Sequence, residues 1–453
     1  MADFQFDRQA IQAFRFLRCH FDEASGVASL VYAFDQGPEL TETIRFPAAP
    51  YQLDVARRDA VEQALRLLHL IAGVSYFKAA APSRIEIDGY SIDADTAALM
   101  TELYENGLGE FAYRNGMVLR GKIRFPVAAD RPAPAPAIGL RKHALVAIGG
   151  GKDSLVSIEA LRKAGVAQTV VWVGSSPLIK ACAERTGLPM LNIGRSLAPE
   201  LFEMNKLGAL NGHIPVTAIN SAILVLAALL HDADQVVFSN ERSASYGSLI
   251  PGTGEVNHQW SKGWAFERDF AAHLRSHVAS DVNYFSLIRP FSELAVARQF
   301  ARIDHYDAHF SSCNRNFHLL GERPAQRWCG ACPKCHFVFL ALAPFMPKPR
   351  LMGIFGRNLL DEPDQAPGFD ALLEFQDHKP FECVGEGRES RAAMAALAAN
   401  PSWREDALVA RFVREIRPQL ETVDLMLEPL LEPSDDHGIP TPLWIPLLEN
   451  FRA

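Results

Sequence analysis

The chain has 453 residues, 48% hydrophobic and 22% charged, with a formal net charge of −8. That composition describes a globular, soluble protein of two or three domains. The acidic balance speaks against extended nucleic-acid binding. The opening Met-Ala-Asp-Phe-Gln-Phe-Asp has no signal-peptide pattern, and the longest apolar run, Ala222 to Leu230, is too short to span a bilayer. Seven unevenly placed cysteines fit a cytoplasmic protein with a thiol site better than a disulfide framework.

Residues 1–130 read as an α+β N-terminal domain. Phe14–Phe21 and Gly26–Phe34 have the composition of paired strands around a turn at Asp22–Ser25. Arg57–Leu70 carries helical periodicity, a strand follows at Arg84–Asp88, and Asp95–Tyr104 is helical again. Cys19 and His20 read as ordinary strand residues. Alternating Pro and Ala across residues 131–138 predict a stiff, extended linker.

Residues 139–345 alternate strand and helix, the order of a parallel sheet with helices on both faces. His143–Ile148 is a buried strand. Gly149-Gly150-Gly151-Lys152-Asp153-Ser154 is a glycine-rich turn, and Leu155, Ile158 and Leu161 continue at helical spacing. A strand, a glycine turn and a helix N-terminus make an anion site, because backbone N–H groups converge there and the helix dipole favours negative charge. The Walker A pattern fails at Val146 and Asp153, and the dinucleotide fingerprint is weak at Ser154. Further strands are expected at Thr169–Val173, Met190–Ile193 and Gln235–Ser239, with helices at Leu178–Thr186 and Val216–Leu230. Ligands in such sheets bind beyond the C-terminal strand ends. The turn, Trp172–Ser176 and Asn240–Ser245 are therefore expected to line one site. Asn240, Arg242 and Ser243 are candidate substrate-binding groups. Asn257–Trp264 is expected to be an ordered loop over the site, with Lys262, His258 and Glu241 as candidate proton-transfer groups.

Cys313, Cys329, Cys332 and Cys335 have the paired spacing of a tetrahedral metal site, zinc before iron–sulfur, with a reduced metal-free cluster as the alternative. His318 is a substitute ligand for Cys313. Cys19, Cys182 and Cys383 lie in separate segments with no marked partner, which argues against a catalytic cysteine pair of the glutamate-racemase kind. Residues 346–453 read as a C-terminal packing subdomain with helices at Arg391–Leu397 and Asp406–Ile416.

The turn at Gly149–Ser154 resembles the Ser-Gly-Gly-x-Asp-Ser loop of the PP-loop ATP pyrophosphatases, with Gly149 in place of the first Ser. That resemblance implies that Gly149, Gly150, Gly151, Lys152, Asp153 and Ser154 bind ATP. The N–H groups of Gly150, Gly151 and Lys152 and the Ser154 hydroxyl would hold the leaving pyrophosphate. Lys152 would add charge, Asp153 would sit close to Mg²⁺, and Trp172 and Val173 would lie near the adenine. A similar four-Cys zinc knot occurs in the PP-loop enzymes that make 7-cyano-7-deazaguanine. Over nearly the full length, the loop, Gly212-His-Ile-Pro-Val216, Ser239-Asn-Glu-Arg-Ser243, Asn257-His-Gln-Trp-Ser-Lys262 and Trp328–Cys335 together resemble the UDP-N-acetylmuramoyl-L-alanyl-L-glutamate epimerases. That resemblance implies ATP- and Mg²⁺-dependent inversion of the terminal L-Glu of that cell-wall precursor, with release of AMP and diphosphate. The alternatives are another AMP-forming PP-loop enzyme, either a 7-cyano-7-deazaguanine synthase-like protein or an amide ligase, and a non-catalytic nucleotide-binding module. Oligomeric state is left open.

Overall fold

Strands β1 (Ala13–Asp22), β2 (Val27–Phe34) and β3 (Leu40–Arg45) form an antiparallel meander, and the short β4 (Arg84–Ile87) adds parallel to β1. A computed structural model supplies this architecture and describes residues 6–250, 254–317, 323–375 and 379–452. The turn at Asp22–Ser25 is where the sequence placed it. Helix α1 (Val55–Ala72) starts at Asp54, whose side chain accepts from Arg57 N–H, and buries Val61, Ala64, Leu65 and Leu68. An Asp at this position satisfies one of the N–H groups that a helix start leaves unpaired. Helix α2 (Ala94–Gly107) begins in the same way at Asp93.

The alternating half supplies β5 (Ala144–Ala147), α3 (Lys152–Lys163), β6 (Gln168–Val173), α4 (Pro177–Thr186), β7 (Met190–Ser196), α5 (Val216–Leu230) and β8 (Gln235–Phe238). A two-stranded ribbon, β9 (Ser248–Ile250) with β10 (Gly254–Val256), leads to α6 (Trp264–His277), β11 (Asn283–Ser286) and α7 (Glu293–Phe300). The parallel order is β11-β8-β5-β6-β7, so the chain reverses direction across the sheet between β5 and β8. Ligand crevices of open α/β sheets form at such reversals.

The sheet does not stop at β7. Strand β3 pairs antiparallel with it through Thr43–Ser196, Ile44–Arg195 and Arg45–Gly194, which makes one sheet of nine strands. The buried ion pair of Arg195 with Glu42 lies at this seam. The Pro/Ala stretch runs outside it. Ala135 N–H donates to Ser276 carbonyl, and Ser280 N–H donates to Pro136 carbonyl.

Strand β5 shows why both sheet faces are covered. Leu145 joins the apolar core under α1 and α5, whereas Ala144 and Val146 join the core under α3, α7 and the C-terminal helices. Successive side chains on a strand point to opposite faces, so a strand covered on both sides must be apolar throughout. Helix α5 is apolar around most of its surface, and its residues from Ala222 to Leu230 are all buried. The second core is closed by α8 (Pro333–Leu342) and α9 (Gly387–Ala399). The helix expected at Asp406–Ile416 is α-helical over Ala407–Arg411 and continues as a π turn over Phe412–Ile416. Among the described residues no helix is long and apolar enough to cross a membrane.

Candidate functional site

Strand β5 ends at Ala147, and the glycine turn carries the chain into α3. Gly150 has φ +80°, a conformation that a side chain strains, so glycine is required at this point of the turn. Gly151 is the N-cap and provides no side-chain cap to the first turn of α3. The N–H groups of that turn are therefore free of the side-chain acceptor that most helix starts carry. A Cβ at Gly151 would come within 3.3 Å of Ser312 Cβ, because the chain at Ser311–Ser312 packs directly against the turn. Ser311 N–H donates to Gly150 carbonyl at 2.9 Å.

A cavity of about 470 Å³ opens at this point. Gly149, Gly151, Asp153 and Ser154 line it from the turn, Trp172 and Val173 from the end of β6, and Ser239 and Asn240 from the end of β8. Residues Thr217 and Asn220 of α5 line another wall, and His258, Gln259, Ser261 and Lys262 form the facing loop. The loop is ordered by Asn257, whose amide donates to Ala244 carbonyl and whose side-chain oxygen accepts from Gln259 N–H. Arg289, fully buried, braces the same wall. It pairs with Glu267 at 2.8 Å and donates to the carbonyls of Glu241 and Lys262.

Several expected site residues are placed differently. Lys152 does not line the cavity. Its side chain is 1% exposed and turns inward to an ion pair with Glu293, also 1% exposed, and to Asp153 Oδ1 at 2.5 Å. The first helical position of α3 directs this side chain into the core, so its charge neutralises two carboxylates. Glu241, Arg242 and Ser243 also fall outside the cavity lining. Glu241 is buried, with its carboxylate close to those of Asp153 and Glu293. Burial, then the charges of Glu293 and Asp153, push its carboxyl up to about 7. Arg242 donates to the carbonyls of Leu430 and Glu432 and so ties the C-terminal segment to the end of β8. Ser243 is buried. Of the tail of the second expected segment, Gly174, Ser175 and Ser176 do not reach the cavity.

Lys262 and His258 do reach it. Burial opposes the Lys262 ammonium, but Cys383 and Glu241 raise its pKa above the ordinary lysine value. Burial likewise opposes charge on His258, yet its contacts with Cys383 and Glu110 raise it to about 9. The His258 Nδ1 pairs with Glu110, and its ring packs on that of His213 with centroids 4.0 Å apart. Burial and the neighbouring His258 hold His213 neutral down to about 3.

Sequence reasoning missed four groups here: Cys383, Lys334, Glu293 and Glu110. Cys383, expected to be without a partner, accepts from Lys262 Nζ at 3.3 Å and lines the cavity. Lys334 also lines it, lies 3.6 Å from Glu293, and donates to Cys383 carbonyl. The Cys332-Pro-Lys-Cys335 spacing offered a faint signal for Lys334, since a lysine inside a metal knot is fixed in direction. Glu110 and Cys383 come from distant segments with no local mark.

The four cysteines Cys313, Cys329, Cys332 and Cys335 converge, with sulfurs all within 4.8 Å of one another. Cys329–Cys335 and Cys332–Cys335 are 3.7 and 3.4 Å apart, and no disulfide links them. Tetrahedral zinc with bonds of ~2.3 Å needs sulfurs about 3.8 Å apart, so this donor set fits. The N–H groups of Ala331 and Cys335 donate to Cys329 and Cys332 sulfurs. His318 lies outside the described residues. The knot fixes the start of α8, which carries Lys334, and the Ser311–Phe317 segment that braces the glycine turn.

Two family models match the chain. One, described as the MurL N-terminal domain, covers residues 5–287, and the other, the MurL C-terminal domain, covers residues 309–426. Their division falls beyond β11 and not at the Pro/Ala stretch. A protein of Xanthomonas oryzae pv. oryzae (strain MAFF 311018) is 72% identical over 448 residues, 99% of both chains. It is named UDP-N-acetyl-alpha-D-muramoyl-L-alanyl-L-glutamate epimerase. Proteins of the same name from Micromonospora sp. and Salinispora tropica are each 44% identical. The matches cover 95% and 89% of this chain and 97% and 88% of the relatives.

Proposed function

The chain belongs to the MurL family of epimerases, and on that premise we propose that it inverts the terminal L-Glu of UDP-N-acetylmuramoyl-L-alanyl-L-glutamate through an ATP-derived acyl-adenylate. It is an isomerase acting on a UDP-muramoyl dipeptide in the synthesis of peptidoglycan precursor. The observation that carries the adenylate reading is the shared cavity. The uncapped N-terminus of α3 opens into the same space as the Lys262–Cys383 wall, which supports a reading in which phosphate and acid–base groups serve one substrate.

The chemistry explains the need for ATP. The α-proton beside a free carboxylate is very weakly acidic, because the carbanion would add charge next to an existing one. Adenylating the carboxylate removes that charge and gives an acyl group that delocalises the carbanion. An N-acylated, activated glutamate can also close to an oxazolone with a still more acidic α-proton. Loss of the proton, its return on the other face and hydrolysis complete the inversion.

The turn residues Gly149–Gly151 and the Ser154 hydroxyl bind the pyrophosphate as charge develops on it. Trp172 and Val173 offer an apolar wall for adenine. Mg²⁺ would be held by Asp153 and would neutralise charge on the leaving group. Asp153 suits this role: burial opposes its ionisation, but Lys152 holds its pKa below the usual carboxylate value. Asn240 and Lys334 would orient the peptide carboxylate. Zinc at the four cysteines would be structural, with no open position for water.

The test is incubation with ATP, Mg²⁺ and the L-Glu substrate, with chiral analysis of glutamate after hydrolysis and AMP counted alongside. D-Glu appearing with stoichiometric AMP is expected. D-Glu formed without AMP would refute the adenylate.

A further inference from the structure

Inversion requires a base on the α-hydrogen, and the cavity narrows the choice. Six titratable side chains line it among the described residues: Asp153, His213, His258, Lys262, Lys334 and Cys383. Asp153 pairs with Lys152 and is assigned to Mg²⁺, not to the α-hydrogen. Lys262 and His258 are held protonated, by Cys383 and Glu241 in one case and by Cys383 and Glu110 in the other. Neither has a free lone pair to offer. His213 is neutral but a feeble base, for the reasons given above. Lys334 is engaged by Glu293 and by the Cys383 carbonyl.

Cys383 is different in kind. Burial opposes its ionisation, yet Lys262, then His258 and Lys334, draw its thiol down to about 5. At neutral pH it is a thiolate, poorly solvated and open to the cavity. Its backbone is anchored, since Lys334 donates to the Cys383 carbonyl and Gln259 to the carbonyl of the following Val384. A thiolate clamped between an ammonium and an imidazolium has the form of an activated sulfur.

We propose that Cys383 is a catalytic proton-transfer residue, whose Sγ takes the α-hydrogen of the terminal glutamate while Lys262 and His258 hold the sulfur in place. The proposal rests on the acyl-adenylate reading, which supplies the activated carbonyl. As the Cα–H bond breaks, an S–H bond forms and the electron pair moves into that carbonyl. A water-derived proton returns to the opposite face of Cα. The thiol then gives its proton to solvent water, which restores the thiolate while Lys262 and His258 stay protonated beside it.

The test compares full-length wild type with C383A and C383S in D₂O, supplied with ATP, Mg²⁺ and the L-Glu substrate. Three quantities are read: ATP affinity, AMP released, and α-deuterium in recovered glutamate. Wild type is expected to release AMP and to incorporate α-deuterium. Both variants are expected to keep ATP affinity within threefold and to lose at least 100-fold in α-deuterium incorporation. Exchange within threefold of wild type in either variant would overturn the proposal. So would a covalent glutamyl adduct at Cys383 in acid-quenched wild type, which would make the sulfur a nucleophile. Alkylating folded wild type with iodoacetamide, mapped to Cys383, gives a check independent of folding. It should abolish exchange, and retained exchange would be decisive against Cys383. Wild type that exchanges without AMP would refute the adenylate alone, and the comparison of wild type with variant would still decide the role of the sulfur.

Discussion

Lys152→Met separates two roles for one side chain. The loop pattern assigns Lys152 to phosphate, whereas the structure buries it between Asp153 and Glu293. Methionine keeps the length and removes the charge, which leaves the Glu293 carboxylate buried with Lys334, 3.6 Å away, as its remaining ion pair among the described residues. Breaking one side of a buried ion pair costs about 3–5 kcal/mol. The surviving Lys334 places the expected loss near the lower end, about 3 kcal/mol, out of a total of about 5–15. With a slope of about 3 kcal/mol per molar urea, the midpoint should fall by roughly 1 M. The double variant Lys152→Met/Glu293→Gln removes the orphaned charge as well and should regain most of that loss. Urea unfolding followed by tryptophan fluorescence reads both, with ATP titration beside it. An unchanged midpoint together with lost ATP affinity would refute the inward placement and return Lys152 to the phosphates.

Three further outcomes follow from the same geometry. Gly150→Ala forces a side chain into φ +80°, at a cost of about 1–2 kcal/mol concentrated in the turn. ATP affinity measured by calorimetry should drop at least tenfold with little change in melting temperature. Elemental analysis should find one zinc per chain, and chelation should lower both thermal stability and ATP affinity, because the knot braces Ser311–Phe317 against the turn; full ATP affinity after complete chelation would uncouple the knot from the cavity. Glu241 has a carboxyl pKa raised from 4.5 to about 7 by burial and by Glu293 and Asp153. Between those values the folded chain holds the extra proton, so its stabilising contribution is full below about pH 4.5 and is lost as pH rises through about 7. Glu241→Gln should remove that slope, so the variant gains on wild type in urea midpoint above pH 7; parallel curves would exclude the effect.

The sheet was legible because its strands are local. Thr169–Val173 and Gln235–Ser239 are short, mostly apolar and flanked by turns, and they became β6 and β8 nearly residue for residue. Helix α5 announced its burial by being apolar on most sides. The glycine turn announced an anion site because φ > 0 and an uncapped helix start leave a sequence mark. Side-chain direction left none. Lys152 and Asp153 are neighbours in sequence and their side chains meet, yet only Asp153 lines the cavity while Lys152 turns inward to Glu293. Glu241, Arg242 and Ser243 sit at a strand end, as expected, but the cavity ends at Asn240. The environment of Cys383 depends on Lys262 and His258, more than a hundred residues earlier, and only folding brings them together. The joining of β3 to β7 is equally non-local.

That join makes this protein a candidate for division and reassembly. A cut within the Pro/Ala stretch would leave two fragments, each with a naked strand border at β3 or β7 and an unclad apolar helix at α1 or α5. Each fragment alone would tend to precipitate, since exposed edges template pairing with other chains. Produced together in one cell, they have a complementary border and the Glu42–Arg195 pair to guide them. The seam could then serve as the dock of a two-piece enzyme, with inverted glutamate as its signal of reunion.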